Sequence, residues 1–424
     1  MTTGRQQLHA TLGQDTPWGI DQGRLLLGQT PLSDWLARQT RPDTPAYVYY
    51  LPVIAAQIAA LRAILPPGLR LHYAVKANPH PQILRFLAEL IDGFDTASAE
   101  EIARIAACAP TKLGHTSLAG PAKSIDEIDA AIAQGVLIYA ESAAELDRIA
   151  QRAARTGQRA RIGLRINPPF ELKGAGMKMG GGARPFGIDS EQIPALLRRL
   201  STDTDWASHL DWYGFHLFSG SQNRHAPALA QALSAGWELM QTLAEYSAIA
   251  PRHLNLGGGF GLPYQPNDSA LDLSALAEPL RQITEAAQAR WPGIYLNLEL
   301  GRYLVAPAGM YVTRVVERKI SRGKTFLLCD GGLHHHLALS GNLGQVLRRN
   351  WPLIAVDHLD TAASETVDLA GPLCTPLDVL GQDQALPPLQ AGDVIAVLQS
   401  GAYGLTASPQ AFLSRPACAE YVVE

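Results

Sequence analysis

The sequence has few cysteines, and they are poorly spaced for acting together. Its four cysteines, Cys108, Cys329, Cys374 and Cys418, are far apart in 424 residues, and no two of them form a CxxC pair. Isolated cysteines of this kind exclude a disulfide framework and a cysteine-only zinc site. They are typical of a protein kept in a reducing compartment, so we expect a cytoplasmic localisation.

An excess of positive charge and a long apolar run are also missing. The 35 lysines and arginines are outnumbered by 39 aspartates and glutamates, which gives a formal net charge of -4. A chain without a basic excess has little to attract a phosphate backbone, so we expect no nucleic-acid partner. No apolar run is long enough to cross a membrane, and residues 1–7 lack the apolar core of a signal peptide. We therefore expect no membrane partner.

The composition is otherwise that of a globular protein, with 47% hydrophobic and 17% charged residues, and a pattern repeats between Ala46 and Glu299. Short apolar runs alternate there with stretches rich in alanine and leucine at helical spacing. The pattern predicts eight strands, at 71–75, 93–95, 113–118, 136–139, 161–166, 212–217, 253–256 and 295–298. Eight such units in about 250 residues are typical of a closed (β/α)8 barrel, and a doubly wound open sheet is the alternative.

The alternation of strands and helices stops after Val305. Strands are predicted at 311–316, 325–329, 366–371, 393–399 and 420–423, with glycine and proline turns between them. We therefore predict an α/β fold in three segments. Residues 1–44 add to the β domain, residues 45–305 form the barrel, and residues 306–424 form a C-terminal all-β domain.

Polar residues follow nearly every predicted barrel strand. In barrels of this class the active site lies at the carboxyl ends of the strands, so these positions predict a crowded polar site at one mouth. Lys76 comes directly after the first strand. It is either a lysine whose charged end simply reaches solvent or a desolvated lysine that forms a Schiff base.

A run of three glycines follows the seventh strand. Gly257, Gly258 and Gly259 leave backbone N–H groups able to close on a phosphate, and a plain tight turn is the alternative. Glu299 ends the eighth strand, with Arg302 three residues on. These two either form an isolated salt bridge or place an acid against a ring nitrogen and an arginine against a phosphate. Together with Lys76, they match one cofactor, pyridoxal 5'-phosphate (PLP).

Two further motifs lie in the predicted β domain. The tract 334–336 contains three consecutive histidines. Because consecutive strand residues point to opposite faces, we expect no metal site there. Cys374 stands between Gly-Pro and Thr-Pro pairs. It is either a buried apolar residue or an available loop thiol that acts as an acid or base.

In combination these motifs resemble one family, the fold-type III PLP-dependent decarboxylases of the ornithine/diaminopimelate decarboxylase superfamily. The resemblance runs from about residue 45 to the end of the chain, and its segments are 73–78, 93–95, 257–261, 299–302, 371–374 and 401–404. The segments 330–336 and 340–342 are similar to a sub-branch found in antibiotic-biosynthesis and exosortase-associated clusters. The resemblance implies an alanine racemase-like architecture.

The resemblance also implies roles for individual residues. Lys76 carries the internal aldimine, and Glu299 pairs with the pyridine nitrogen. Asp95 and Arg165 order the groups around the cofactor. The phosphate is held by Gly257, Gly258, Gly259, Ser221, Arg302 and Tyr403. Family members are homodimers with shared active sites, so Cys374 is expected to act in the site of the partner subunit.

Two positions depart from the family pattern. Many members have a histidine stacked on the cofactor ring, where this chain has Phe218, and His216 lies two residues earlier. Ornithine and diaminopimelate decarboxylases follow the cysteine with an acid that meets the distal polar group of the substrate. This chain has Thr375 there. The candidate substrate contacts are therefore Thr375, His216 and Asp378, the last as a substitute for the missing acid.

The implied reaction is loss of the α-carboxylate of an amino acid or derivative as carbon dioxide, through a quinonoid intermediate, after which Cys374 or Lys76 returns a proton to the α-carbon. An amino-acid racemase on the same fold and a non-catalytic binding homologue are the alternatives. An acid at Glu299 favours decarboxylation.

Thr375 predicts a substrate whose distal end is neutral, acylated or carrier-linked. The glycine-rich segment 174–182 is predicted to form a mobile flap over it.

Overall fold

The computed structural model describes residues 2–40, 43–171, 176–265, 267–341 and 349–424. The chain divides into two compact units. The barrel unit comprises Ile58–Leu262 and Ser269–Tyr303. The sheet unit comprises Met1–Gln57, Pro263–Asp268 and Leu304–Glu424.

Eight parallel strands close the barrel unit. They are β1 (Leu69–Ala74), β2 (Gly93–Thr96), β3 (Thr116–Leu118), β4 (Leu137–Ala140), β5 (Ala160–Asn167), β6 (Leu210–Leu217), β7 (His253–Gly258) and β8 (Tyr295–Leu300). Each pairs with the next, and β8 pairs with β1, so these eight strands form a closed ring. The short strand Ile188–Asp189 pairs in parallel with the end of β5. The predicted barrel is confirmed, and the open-sheet alternative is wrong.

Both faces of the barrel strands are covered, so polar as well as apolar strand residues are buried. Every residue of β2, β3 and β4 is buried. The strand predicted at 113–118 is shorter than expected, because Pro110–His115 forms a 3-10 helix. The helices of the barrel unit between β1 and β8 are Pro81–Leu90, Ala99–Cys108, Ile125–Ala133, Ala143–Thr156, Ile193–Thr202, Thr204–His209, Ala226–Ala244 and Ser274–Arg290.

The helix Ala143–Thr156 shows how the sequence sets these elements. The Ser142 hydroxyl accepts a hydrogen bond from the Glu145 amide and caps the start of the helix. Gly157 ends it in the left-handed conformation, with φ +66°. Leu146, Ile149, Ala150 and Ala153 are buried, a spacing that places one face against the barrel strands.

The sheet unit is built mainly of strands. An eight-stranded sheet contains Ala46–Tyr50, Gly309–Ser321, Lys324–Cys329, Leu353–Ala355, Glu365–Ala370, Val379–Leu386, Val394–Val397 and Ala419–Val423. A separate three-stranded sheet contains Gly19–Asp21, Arg24–Leu27 and Thr30–Pro31. The unit also contains the helices Gly4–Leu12 and Leu32–Ala37. The helix Leu51–Arg62 runs from this unit into the barrel unit, and Arg302–Val305 runs from the barrel unit into this one.

The unit boundaries differ from the predicted segments. Ala46–Tyr50, predicted to open the barrel segment, is a strand of the large sheet, paired with Gly309–Ser321 and Ala419–Val423. The Tyr47 and Tyr311 rings, both fully buried, lie 5.1 Å apart at this junction. No described helix combines the length and the apolar character that crossing a bilayer requires.

Candidate active site

The carboxyl ends of the barrel strands carry the polar residues expected there. Lys76 lies in the 3-10 turn Val75–Ala77 directly after β1 and is exposed. Its Nζ lies 5.8 Å from the centre of the Phe218 ring, which follows β6. The structure therefore brings these two predicted site residues together, although they are 142 positions apart in the chain.

The three glycines at the end of β7 form a cradle in which a side chain would not fit. Gly257 and Gly259 have φ of +71° and +85°, the left-handed region. A Cβ on Gly257 would lie 2.3 Å from the Leu217 carbonyl oxygen, and one on Gly258 would lie 2.1 Å from the Glu299 carbonyl oxygen. The backbone is therefore packed tightly between the ends of β6 and β8.

Two buried hydroxyl groups lie beside this cradle. The Oγ atoms of Ser219 and Ser221 are shielded from solvent and have no hydrogen-bond partner among the described residues. Unpaired buried hydroxyls are costly, and beside a glycine cradle they fit the oxygens of a phosphate. Arg302 begins the short helix that follows β8. Ser219 was absent from the predicted phosphate set, although it belongs to the same Ser-Gly-Ser turn as Ser221.

Glu299 is a buried carboxylate at the end of β8. Its Oε2 lies 3.1 Å from His216 Nε2 and 3.4 Å from Asn255 Nδ2. Burial by itself raises the pKa of Glu299, but pairing with His216 and the charges of Lys76 and Arg165 outweigh burial and lower this pKa to about 2. The acid is therefore ionised at neutral pH, as pairing with a protonated ring nitrogen requires.

His216 was predicted as a substrate contact, and that role stays a prediction. Its side chain is buried inside the barrel beside Glu299, and its ring packs on Tyr139 with 4.6 Å between ring centres. The structure assigns it to the surroundings of the acid, because residue 216 of β6 points inward. This direction was not specified by the sequence pattern.

Asp95, at the end of β2, is also buried. Its Oδ1 accepts a hydrogen bond from the Ser117 hydroxyl, and its Oδ2 lies 3.4 Å from His72 Nδ1. His72 in turn contacts the Tyr295 hydroxyl through Nε2, at 3.0 Å. His72 was not predicted as part of the site, because a histidine within an apolar strand carries no signal that shows its partner.

Arg165 is held by an acid that the sequence analysis did not select. Arg165 Nη1 donates to Glu141 Oε1 at 2.7 Å, and the Gly120 and Gly187 amides donate to the same carboxylate. Burial raises the pKa of Glu141, but the charges of Arg165 and Lys123 outweigh it and lower the pKa. Glu141 therefore ties together the loops after β3, β4 and β5.

A second buried ion pair supports the same loops. Lys123 Nζ lies 3.0 Å from Glu145 Oε1 and donates to the carbonyl oxygens of Gly120 and Tyr139. Burial lowers the pKa of Lys123 despite this pairing. The amine is engaged by three acceptors, so the structure gives Lys123 a structural role at the barrel mouth.

The glycine-rich segment predicted as a flap is partly described. Residues 174 and 175 lie outside the described residues. Met177–Lys178 forms a short antiparallel ribbon with Gly220–Ser221, and the Met179 amide donates to the Ser219 carbonyl oxygen. The segment is therefore anchored on the turn that carries the two unpaired hydroxyls.

The remaining predicted site residues belong to the sheet unit. Cys374 is exposed, Thr375 is half-buried, and Tyr403 is half-buried with φ +54°. Asp378 is buried, and both of its oxygens accept backbone hydrogen bonds, from the Leu333 and Leu373 amides. Its expected role as the acid that meets the substrate stays a prediction.

The three consecutive histidines are buried in the sheet unit. The His335 Nε2 atom lies 3.1 Å from the Pro416 carbonyl oxygen, and His336 Nε2 lies 3.1 Å from the Ser400 hydroxyl. Burial lowers the pKa of His334 to about 4, with the charges of His335 and Arg415 acting in the same direction. These rings are thus engaged in packing and hydrogen bonding within the unit.

Comparison with known proteins agrees with this geometry. Residues 51–306, more than half of the chain, match the family model described as "Pyridoxal-dependent decarboxylase, pyridoxal binding domain". The chain is 35% identical over 381 residues to the L-glutamyl-[BtrI acyl-carrier protein] decarboxylase of Niallia circulans, which covers 89% of this chain and 88% of the relative.

A second relative and a solved structure extend the likeness. The 2-[(L-alanin-3-ylcarbamoyl)methyl]-2-hydroxybutanedioate decarboxylase of Staphylococcus aureus is 28% identical over 395 residues, covering 91% of this chain and 95% of the relative. The structure of diaminopimelate decarboxylase from Helicobacter pylori complexed with L-lysine superposes with a TM-score of 0.80 and 26% identity, over 92% of this chain and 94% of that one. The chain therefore belongs to the pyridoxal-dependent decarboxylase family and is a PLP-dependent amino-acid decarboxylase.

Proposed function

We propose that this enzyme removes the α-carboxylate from an amino acid whose distal end is uncharged, acylated or linked to a carrier. The observation that carries the proposal is Thr375, which follows Cys374 at the position where ornithine and diaminopimelate decarboxylases have an acid. A charged distal amine buried beside a threonine would be left without a counter-charge, and an unpaired buried charge costs several kcal/mol. Asp378, the nearest acid along the loop, is held by the Leu333 and Leu373 amides, one on each carboxylate oxygen.

The named substrates of two relatives support this class. One relative acts on an L-glutamyl group attached to an acyl-carrier protein. Because the α-carboxylate must be free to leave, a glutamyl group can be attached only through its side-chain carboxyl, which loses its charge in the linkage. In the name of the other substrate, an uncharged carbamoyl linkage joins the alanine side chain to a hydroxybutanedioate group, which carries carboxylates. Both substrates have a free α-amino acid whose side chain continues through an uncharged acyl linkage, and neither name contains a distal amine.

Each residue at the barrel mouth is proposed to have its own role toward the cofactor. PLP, when bound, supplies a sink for the electrons left on the α-carbon when carbon dioxide departs. Lys76 holds the cofactor through its amine, and the ionised Glu299 keeps a proton on the ring nitrogen. Phe218 provides an apolar face for the ring. Asp95 and Arg165 order the groups around it.

The phosphate end has its own set of residues. The proposed donors are the Gly257, Gly258 and Gly259 amides, the Ser219 and Ser221 hydroxyls, Arg302 and Tyr403. Backbone amides in a glycine turn bind anions without the entropic cost of ordering long side chains. After carbon dioxide has left, the Cys374 thiol or the Lys76 amine returns a proton to the α-carbon. These roles are consistent with decarboxylation and give no support to the racemase or non-catalytic alternatives.

We further propose a homodimer in which Cys374 serves the active site of the partner subunit. Cys374 is exposed, and Leu377, Phe412 and Leu413 are 58%, 42% and 49% exposed. Arg415 Nη2 donates to the Pro372 carbonyl oxygen at 2.7 Å, which ties the segment of Phe412 to the segment of Cys374. Exposed apolar side chains around a functional thiol support burial of this surface by a second subunit.

The substrate proposal predicts a preference that can be measured directly. We expect wild-type turnover of ornithine, lysine and diaminopimelate to be about 100-fold or more below that of a matched acyl or carrier-linked amino acid, because a site that lacks the polar partner of a substrate group discriminates by orders of magnitude. Thr375→Asp should narrow that gap, and Thr375→Ser is the control that should leave it unchanged. Carbon dioxide release is the measurement. Efficient wild-type turnover of a free diamino acid would contradict the proposal.

The shared-site proposal predicts complementation between inactive variants. Mixing Lys76→Ala with Cys374→Ala subunits should restore about one quarter of wild-type activity, because half of the dimers are mixed and each has one intact site of two. Lys76→Ala mixed with Glu299→Gln is the control. Both changes lie in one barrel unit, so no mixed dimer regains a complete site. Equal recovery in the two mixtures, or none in either once subunit exchange is demonstrated, would refute a shared site.

A further inference from the structure

We propose that Asp378 is a positioning residue that holds the loop carrying Cys374 against the segment of the three histidines. The functional part of the proposal rests on the role proposed for Cys374, whereas the holding of the loop stands on the hydrogen bonds alone. Leu373 directly precedes Cys374, and Leu333 directly precedes the tract 334–336. The Asp378 carboxylate binds both of these leucines through their backbones.

The hydrogen bonds engage both oxygens of the carboxylate. Oδ1 accepts from the Leu333 amide at 2.7 Å, and Oδ2 accepts from the Leu373 amide at 2.8 Å. The side chain is 3% exposed. An ionised carboxylate offers two acceptor oxygens, and bonds from backbone amides to a charged group are stronger than neutral ones. An asparagine at this position would offer one acceptor oxygen in place of two.

The backbone of Asp378 also forms hydrogen bonds within the loop that carries Cys374. The Gly371 amide donates to the Asp378 carbonyl oxygen at 3.0 Å, and the Asp378 amide donates to the Thr375 carbonyl oxygen at 3.2 Å. The loop from Gly371 to Asp378 is therefore closed at its base by the residue that also anchors its middle. A thiol on a loop held in this way has a restricted set of positions.

Two glycines make room for the carboxylate. A Cβ on Gly332 would lie 2.4 Å from Asp378 Oδ1, and one on Gly371 would lie 2.3 Å from Oδ2. Both are closer than real atoms approach. The family motif at 371–374 and the segment at 330–336 each contain one of these glycines. Both positions require glycine because the Asp378 carboxylate occupies the space that a side chain would need.

The positioning role extends to Cys374 because the loop is short. Only Leu373, Cys374, Thr375, Pro376 and Leu377 separate Gly371-Pro372 from Asp378. Releasing the Leu373 amide frees the residue next to the thiol. Misplacing a reacting group by about 1 Å costs up to about 100-fold in rate. Loss of the two hydrogen bonds to the Asp378 carboxylate should therefore lower kcat more than it weakens substrate binding.

The test replaces Asp378 by asparagine, which keeps the size and removes one acceptor. Asp383→Asn is the matched control, because Asp383 is exposed and pairs only with Lys324 through its side chain among the contacts of the described residues. We expect Asp378→Asn to speed hydrogen exchange at the Leu333 and Leu373 amides and to change thiol labelling of Cys374 at least about fivefold in a Cys108→Ser background. We also expect kcat to fall roughly 10- to 100-fold with KM little changed.

Each outcome of this experiment has a distinct meaning. Unchanged exchange and unchanged labelling would overturn the positioning role. A rise in KM alone, with the loop unaltered, would restore Asp378 as a substrate contact and also overturn it. Faster amide exchange with unchanged kcat would show that Asp378 holds the loop, and it would refute the proposed role of Cys374. Should Asp378→Asn fail to fold, Gly371→Ala is the second variant, because its Cβ would displace the same carboxylate. Amide exchange, thiol labelling and kcat of Gly371→Ala are expected to change in the same directions.

Discussion

The Lys76→Ala variant should lose decarboxylase activity by roughly 10³-fold or more, the scale seen when an enzyme loses a residue that bonds covalently to the reacting group. Lys76 lies directly after β1, and Nζ faces the Phe218 ring at 5.8 Å. Alanine keeps the backbone of this turn and removes only the amine. Carbon dioxide release under saturating PLP measures the loss, and Lys319→Ala, an exposed lysine of the sheet unit, is the control that should retain full activity.

A chemical experiment locates the amine independently of turnover. Borohydride reduction of the wild-type protein with PLP, followed by peptide mapping, should place the label on Lys76. The label should be absent from Lys76→Ala and present in Lys319→Ala. Labelling of Lys123 in the wild type would contradict the assignment. That outcome would also conflict with the three acceptors that already engage the Lys123 amine.

The second large effect is expected for Glu299→Gln, with kcat lower by about 100-fold. A neutral amide cannot keep the ring nitrogen protonated, and removing one preorganised electrostatic partner costs about 10²- to 10³-fold in rate. Glutamine preserves size, so the neighbouring glycine cradle should be undisturbed. The measurements are kcat and the visible absorption of bound PLP. The absorption should remain present but change in position, which separates an electronic effect from loss of the cofactor.

The pH dependence supplies a check on the same residue. Since pairing with His216 lowers the pKa of Glu299 to about 2, the carboxylate stays ionised well above that value, and its protonation should contribute no step to the kcat profile between about pH 5 and 9. Glu278→Gln, an exposed acid on the helix Ser274–Arg290, is the control for a general charge effect. Activity of Glu299→Gln equal to that of the control would rule out the proposed role.

Much of the barrel site could be predicted because the relevant signals are local. A short apolar run followed by a polar residue marks the end of a strand, and in a closed parallel barrel all such ends meet at one mouth. Lys76, Glu299 and Gly257–Gly259 each stand at such an end, so their neighbourhood follows from the repeat itself. The proximity of Lys76 and Phe218 in the structure agrees with that logic.

What the sequence by itself determined is therefore the order of elements, the barrel and the composition of its mouth. Only the tertiary structure decided which side chains meet. Glu299 pairs with His216 from another strand, Asp378 binds an amide 45 residues away, and the strand Ala46–Tyr50 pairs with a strand that begins at Gly309. A pattern shows the period of a segment over a few residues, whereas each of these partners is chosen by chain closure and by the need to pair a buried polar group.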